Sequence, residues 1–194
     1  MCLPFTCTTA DAMDWDEAMD LVRNLYRDGN YTMSLLVATG CFTGLRVSDL
    51  LSLRYCDLFS REFEIIEKKT RKRRTIRVNA DLREHALRCF KASGLQDASR
   101  KAFISRKKTV FSIQRINVIF KELKERYGLQ VGHFSTHSMR KTFGRRVVKM
   151  SGADSEMALI KLSDIFQHSS VMTTRIYLGL RKEELLDTYD LLSM

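Results

Sequence analysis

Three short segments carry the side chains with the most chemistry to offer. Thr43-Gly44-Leu45-Arg46 sets an arginine just beyond a glycine break. Thr136-His137-Ser138-Met139-Arg140 holds an imidazole and a guanidinium three residues apart, so a helix projects both from one face. Gln167-His168 to Arg175-Ile176-Tyr177 places a phenol nine residues after another imidazole. Guanidinium stays protonated and grips a phosphate through two parallel hydrogen bonds, which suits charge building on phosphate oxygens. Imidazole exchanges protons near neutral pH, and a phenol relieved of its proton is a nucleophile. Each segment alone is weak. A His-x-x-Arg pair arises by chance, a helical tyrosine is more often core, Arg46 could be a surface ion-pair residue, and His168 a satisfied buried histidine.

Charge narrows the class. Lys and Arg number 33 against 23 acidic residues, a net charge of +10 with pI near 9.6. An excess of that size favours a polyanionic partner, because neutralised phosphates release counterions. It concentrates between Lys68 and Arg77, where seven of ten residues are cationic. Such a run is usually a solvated turn. Here apolar residues frame it, Phe63 and Ile65 before and Ile76 and Val78 after, and two strands joined by a turn make a rigid basic finger. Lys68, Lys69, Arg71, Lys72, Arg73 and Arg74 could then reach phosphates and base edges in a DNA groove.

Other classes recede. The five cysteines are odd in number, scattered, and form no Cys-x-x-Cys pair, so reduced thiols in a cytoplasmic protein are the simplest reading. The four histidines lack finger-like spacing to those thiols, which argues against zinc. The least charged stretch, Thr32 to Leu45, has 14 residues, short of the roughly 20 that span a bilayer. No membrane role and no secretory signal are expected.

The elements that must position these residues are mostly helical. Apolar spacing predicts helices near 11–26, 32–41 (apolar nearly all round), 46–53, 81–92, 112–127, 136–150, 156–166, 173–177 and 182–192. The basic hairpin gives two strands, and Ala102-Phe103-Ile104 a third. With one proline, at Pro4, and no Gly/Ser-rich linker, the chain reads as a short segment over residues 1–10 and one domain over 11–194. The fold class is α+β, mostly α with a small antiparallel β-sheet.

Taken together and in this order, the three segments resemble the signature boxes of the tyrosine recombinases of the phage-integrase family. Those boxes are Thr-Gly-Leu-Arg before an apolar-rich helix, His-x-x-Arg, and a His nine residues before a Tyr. A β-turn lysine before Thr or Gly completes the set, and Lys69-Thr70 matches it. The resemblance spans roughly Asp11 to Asp190 and implies that family's catalytic-domain fold. It also implies a site-specific DNA recombinase, an integrase that breaks and rejoins strands through a 3′-phosphotyrosyl bond on Tyr177. Arg46 and Arg140 would hold the phosphate, and His137 would take or return the tyrosine proton. His168 would contact a phosphate oxygen or position the nucleophile. Lys69 would protonate the leaving 5′-hydroxyl, with Lys68 and Lys72 as rivals.

The same scheme calls for no metal, no ATP and no cofactor. It implies double-stranded DNA as partner, with Arg115 and Lys141 joining the hairpin in contacting it, and a monomer that assembles as a tetramer on paired sites. The family's usual N-terminal helical domain has no counterpart before Asp11, and Ser151 to Ser155 is longer than common. The final segment, Lys182 to Leu192, would be exchanged between protomers. Competing readings are a type IB topoisomerase and a catalytically inactive DNA-binding accessory protein. All six positions in order, with the nine-residue spacing from His168 to Tyr177, favour the recombinase.

Overall fold

Asp14 opens the first helix, α1 (Trp15–Arg27), by accepting the Asp16 N–H at 2.8 Å. Asp16 and Glu17 sit at its positive end and Arg27 at its negative end, the arrangement a helix dipole favours. The start falls four residues later than the acidic run suggested, because Asp14 offers the cap. The computed structural model describes residues 10–105, 107–180 and 189. Residues 10–143 form one compact unit, and residues 144–180 belong to another.

In the first unit, α1 buries Ala18, Leu21, Val22 and Leu25. Helix α2 (Tyr31–Thr43) is buried continuously from Met33 to Cys41, as its all-round apolar character predicts. Gly44 ends it in the left-handed region, at φ 60°. Two short helices follow, α3 (Val47–Leu50) and α4 (Tyr55–Phe59), the second hidden from any periodicity argument by its five-residue length. Strands β1 (Glu62–Ile66) and β2 (Arg73–Arg77) pair antiparallel, with Phe63 opposite Ile76 and Ile65 opposite Arg74. Helices α5 (Ala80–Ala92), α6 (Ile113–Tyr127) and α7 (Thr136–Ser151) complete this part, and the unit boundary lies within α7.

The expected third strand at 102–104 does not form. Only isolated bridges occur there, Arg54 with Lys101 and Ile104 with Val110, and the sheet among the described residues has two strands. The run is too short to carry a ladder, and Ala102 and Phe103 are buried in the helical core instead.

His85 is a satisfied core histidine: burial, then the charge of Arg88, pulls its imidazole down to about 4, and Ser34 Oγ lies 2.9 Å from Nε2. Burial pushes the thiols of Cys41 and Cys89 up to about 12, while Cys56 is exposed. No described helix is long and apolar enough to cross a membrane.

The second unit contains the rest of α7, a 3-10 turn at Gly152–Asp154, α8 (Ser155–Phe166) and α9 (Val171–Leu178). The Ser151–Ser155 stretch holds this single tight turn between the helices. The expected 182–192 helix and its exchange between protomers lie outside the described residues except for Tyr189.

Candidate active site

The turn from β1 to β2 is closed by its own backbone. Glu67 N–H donates to the Lys72 carbonyl at 3.0 Å, and Arg71 N–H donates to the Glu67 carbonyl at 2.8 Å. The turn is also tied to the segment after α2, since Lys68 N–H donates to Asp49 Oδ1 at 2.9 Å. Lys69 therefore stands at the tip of a fixed turn, exposed, with Lys68, Arg71, Lys72 and Arg73 exposed around it. Arg74 differs from its neighbours. Its guanidinium turns inward and donates to Glu67 Oε1 at 3.2 Å.

Glu67 was not legible as a functional residue, yet it organises this region. Its side chain is 1% exposed. Arg46 Nη1 donates to Oε2 at 2.5 Å, and Thr70 Oγ1 donates to the same oxygen at 3.1 Å. Burial alone would raise this carboxyl. The hydrogen bond from Arg74, the charge of Arg46 and the Thr70 hydroxyl outweigh it and hold the pKa below the ordinary value. The available signal was a lone acid heading a cationic run.

Box two is anchored with similar care. Thr136 N–H donates to Asn117 Oδ1 at 3.1 Å, and Thr142 Oγ1 both accepts the Met13 N–H at 2.9 Å and donates to its carbonyl at 3.2 Å. These bonds fix the start of α7 so that Arg140, 5% exposed, donates from Nη1 to the Gly44 carbonyl at 2.5 Å. The arginine of the second box is thereby fastened to the glycine of the first. His137 lies one turn before Arg140 on the same face. Desolvation, then the charges of Arg140, Lys141 and Lys69, lowers its pKa below the ordinary imidazole range. Lys69, on the hairpin, is thus electrostatically joined to His137, on α7.

The glycine of Thr-Gly-Leu-Arg has two physical reasons to be glycine. Its φ is 60°, and a β-carbon there would drive into the Phe143 ring. Gly44→Ala should cost roughly 2–4 kcal/mol, from left-handed strain plus overpacking. A urea unfolding midpoint unchanged from the parent protein would count against this account.

Two predicted contacts stand differently from the hairpin residues. Lys141 is buried, at 9% exposure, and acts on His137 as a fixed nearby charge. Arg115 pairs with Glu122 at 3.5 Å on α6, where it lines a cavity with Tyr31, Ser112 and Arg126.

The second unit holds the other two candidates. Gln167, at φ 53°, ends α8, and His168 N–H donates back to the Ser163 carbonyl at 3.0 Å. Ser170 caps α9 by accepting the Thr173 N–H at 3.1 Å. This short turn is what converts nine residues of sequence into a direct neighbour contact. The rings of His168 and Tyr177 meet edge to face with centroids 5.2 Å apart, and Phe166 packs on both, at 5.4 and 5.6 Å. His168 Nδ1 lies 3.0 Å from Thr174 Oγ1, which orients the imidazole, and the Tyr177 hydroxyl oxygen is buried. Gly144 lets α9 approach, since a β-carbon there would lie 2.6 Å from Leu178 Cδ2 and 3.2 Å from Phe166 Cε2. Among the described residues no cluster of His, Cys, Asp and Glu could hold a metal ion.

A helical fold with one small hairpin, an arginine fixed to a box-one glycine and a His–Tyr ring pair define a class, and comparison with known proteins agrees. The chain belongs to the phage integrase family, whose profile matches residues 12–184. It is 28% identical over 149 residues to tyrosine recombinase XerC of Xanthomonas campestris pv. campestris, covering 76% of this chain and 44% of that protein. The chain therefore spans less than half the length of that relative. The crystal structure of XerA recombinase shares the fold at a TM-score of 0.70 and 24% identity, covering 92% of this chain and 64% of that one. The Tn1549 transposon integrase, solved in complex with transposon right end DNA, matches at a TM-score of 0.68 and 17% identity, covering 95% and 68%. The expected fold class is met.

Proposed function

We propose that this chain is the catalytic part of a site-specific DNA recombinase that breaks and rejoins strands through a covalent bond between Tyr177 and a 3′-phosphate. Two observations carry the reading, each within its own unit: the linkage of Arg46, Lys69, His137 and Arg140 through one fixed hairpin and one helix face, and the His168–Tyr177 ring pair. The relatives' names support it, as does the solution of the Tn1549 integrase with DNA. Double-stranded DNA is the substrate, contacted by the exposed hairpin cations Lys68, Arg71, Lys72 and Arg73. The protein works in the cytoplasm, as a monomer when free and as four copies on paired sites.

In this scheme Arg46 and Arg140 hold the non-bridging oxygens of the scissile phosphate, where charge accumulates. His137 accepts the phenol proton as Tyr177 Oη attacks phosphorus, and His168 orients the ring. The P–O5′ bond breaks, and Lys69 gives its proton to the departing 5′-oxygen. Bond energy is kept in the phosphotyrosyl ester, so a second 5′-hydroxyl reseals the strand without ATP.

The test is to incubate the protein with DNA flanking its own gene, carrying a nick that traps the cleaved product, and to look for a protein–DNA adduct under denaturing conditions. An adduct supports the proposal. Salt-sensitive binding without an adduct would favour the accessory, binding-only role.

The pH profile carries a further prediction. His137 has a lowered pKa, so its neutral, proton-accepting form persists below the ordinary value near 6.5. The acid limb of the cleavage rate should therefore fall below about pH 6.5, and His137→Ala should slow cleavage by about 10²-fold or more and remove that limb. An acid limb above neutrality, or one that survives His137→Ala, would assign the base elsewhere.

A further inference from the structure

We infer that Glu67 is a positioning residue for the cleavage reaction: one buried carboxylate sets both the phosphate-holding Arg46 and the turn that presents Lys69. This inference rests on the recombinase reading above and adds a residue that the six-position set does not contain.

The geometry is specific. Glu67 is 1% exposed and spends both oxygens on charge-assisted bonds, Oε2 to Arg46 at 2.5 Å and Oε1 to Arg74 at 3.2 Å. Oε2 also accepts from Thr70, the residue after Lys69, at 3.1 Å. The Glu67 backbone closes the same turn through Lys72 and Arg71. A surface ion pair contributes little and leaves its partners free to move. A buried carboxylate with three donors behaves differently, because losing any of them leaves part of its own buried charge uncompensated.

The consequence is mechanical. Arg46 reaches this region from the segment after α2, Arg74 from β2, and Thr70 from the turn itself. Without a common anion, three cations (Arg46, Arg74 and Lys69) would repel one another across the loop. Glu67 supplies that anion from within the fold, so Arg46 and Lys69 hold their relative places before any phosphate arrives. Pre-placement of this kind matters because a misplacement of about 1 Å can cost on the order of 10²-fold in rate.

Glu67→Gln preserves shape and can still accept one hydrogen bond, but removes the charge. With Tyr177 intact and DNA in excess, it should slow adduct formation about 10- to 100-fold while changing DNA affinity less than about threefold. The diagnostic substrate carries sulfur in place of the bridging 5′-oxygen, since a thiolate leaves without accepting a proton. If Glu67 places the proton donor, Glu67→Gln should recover most of its lost rate on the sulfur substrate, as should Lys69→Ala. Equal slowing on both substrates, or no slowing on either, overturns the placement of Lys69. Glu67→Asp, which keeps the charge but shortens the reach, should fall between.

A DNA-free measurement separates this inference from the functional reading. In the parent protein, side-chain nitrogen resonances of Arg46 should show restricted guanidinium rotation, and Glu67→Gln should release it. Free rotation in the parent protein overturns the inference even if the protein cleaves DNA. Restricted rotation that Glu67→Gln releases supports it even if no adduct forms, and that failure would then fall on the recombinase reading alone.

Discussion

Tyr177→Phe is expected to abolish the protein–DNA adduct, by more than about 10⁴-fold, and to leave the fold intact. The substitution removes one oxygen and keeps the ring. Phe in its place retains the edge-to-face contacts with His168 and Phe166, at 5.2 and 5.6 Å. Loss of a single hydroxyl should change stability by no more than about 1–2 kcal/mol. The neighbouring hydroxyls are poor substitutes: Ser170 Oγ caps α9, and Thr174 Oγ1 faces His168 Nδ1. The readouts are a denaturing gel on nicked DNA and a thermal melt on the same preparation. An adduct that survives in the variant would mean that another side chain attacks the phosphate.

Arg140→Lys should lose about 10²–10³-fold in cleavage rate although it keeps the positive charge. The guanidinium is 5% exposed and already donates from Nη1 to the Gly44 carbonyl at 2.5 Å. That bond fixes the plane of the fork that would grip a phosphate. A lysine ammonium is a single point of charge on a flexible stem, and it cannot serve the carbonyl and grip two phosphate oxygens at once. Arg140→Ala should be slower still, and it strands the Gly44 carbonyl at a further cost of roughly 1–3 kcal/mol in stability. The two substitutions are compared by adduct formation at saturating DNA and by urea unfolding. A lysine variant within a few-fold of the parent rate would reduce the role of Arg140 to one of charge alone.

Much of the arrangement was legible because it depends on local rules. Apolar periodicity placed α1, α2, α5, α6, α7 and α8 close to where they lie, and strands flanking a cationic run placed the hairpin. The three-residue spacing of His137 and Arg140 fixed their common helix face. Where local signals were short, the reading missed. α4 has five residues, too few for a period to emerge, and Ala102–Ile104 kept its apolar character for core packing and not for a ladder. Arg74 looked like its cationic neighbours, but it faces inward, because a buried carboxylate waits on that side.

By itself the sequence determined which side chains were available and how they were spaced: two arginines, two histidines, a turn lysine and a tyrosine, in the family's order. Those are properties of covalent order and of helix and strand periods. Only the tertiary structure decided how they are held. Glu67 acquires its importance from Arg46, 21 positions away in the chain, and Arg140 from the Gly44 carbonyl, 96 positions away. Only packing gathers Arg46, Arg74 and Thr70 onto the buried Glu67 carboxylate and so holds it as a fixed anion. Only packing supplies the desolvation and the nearby charges of Arg140, Lys141 and Lys69 that lower the His137 pKa.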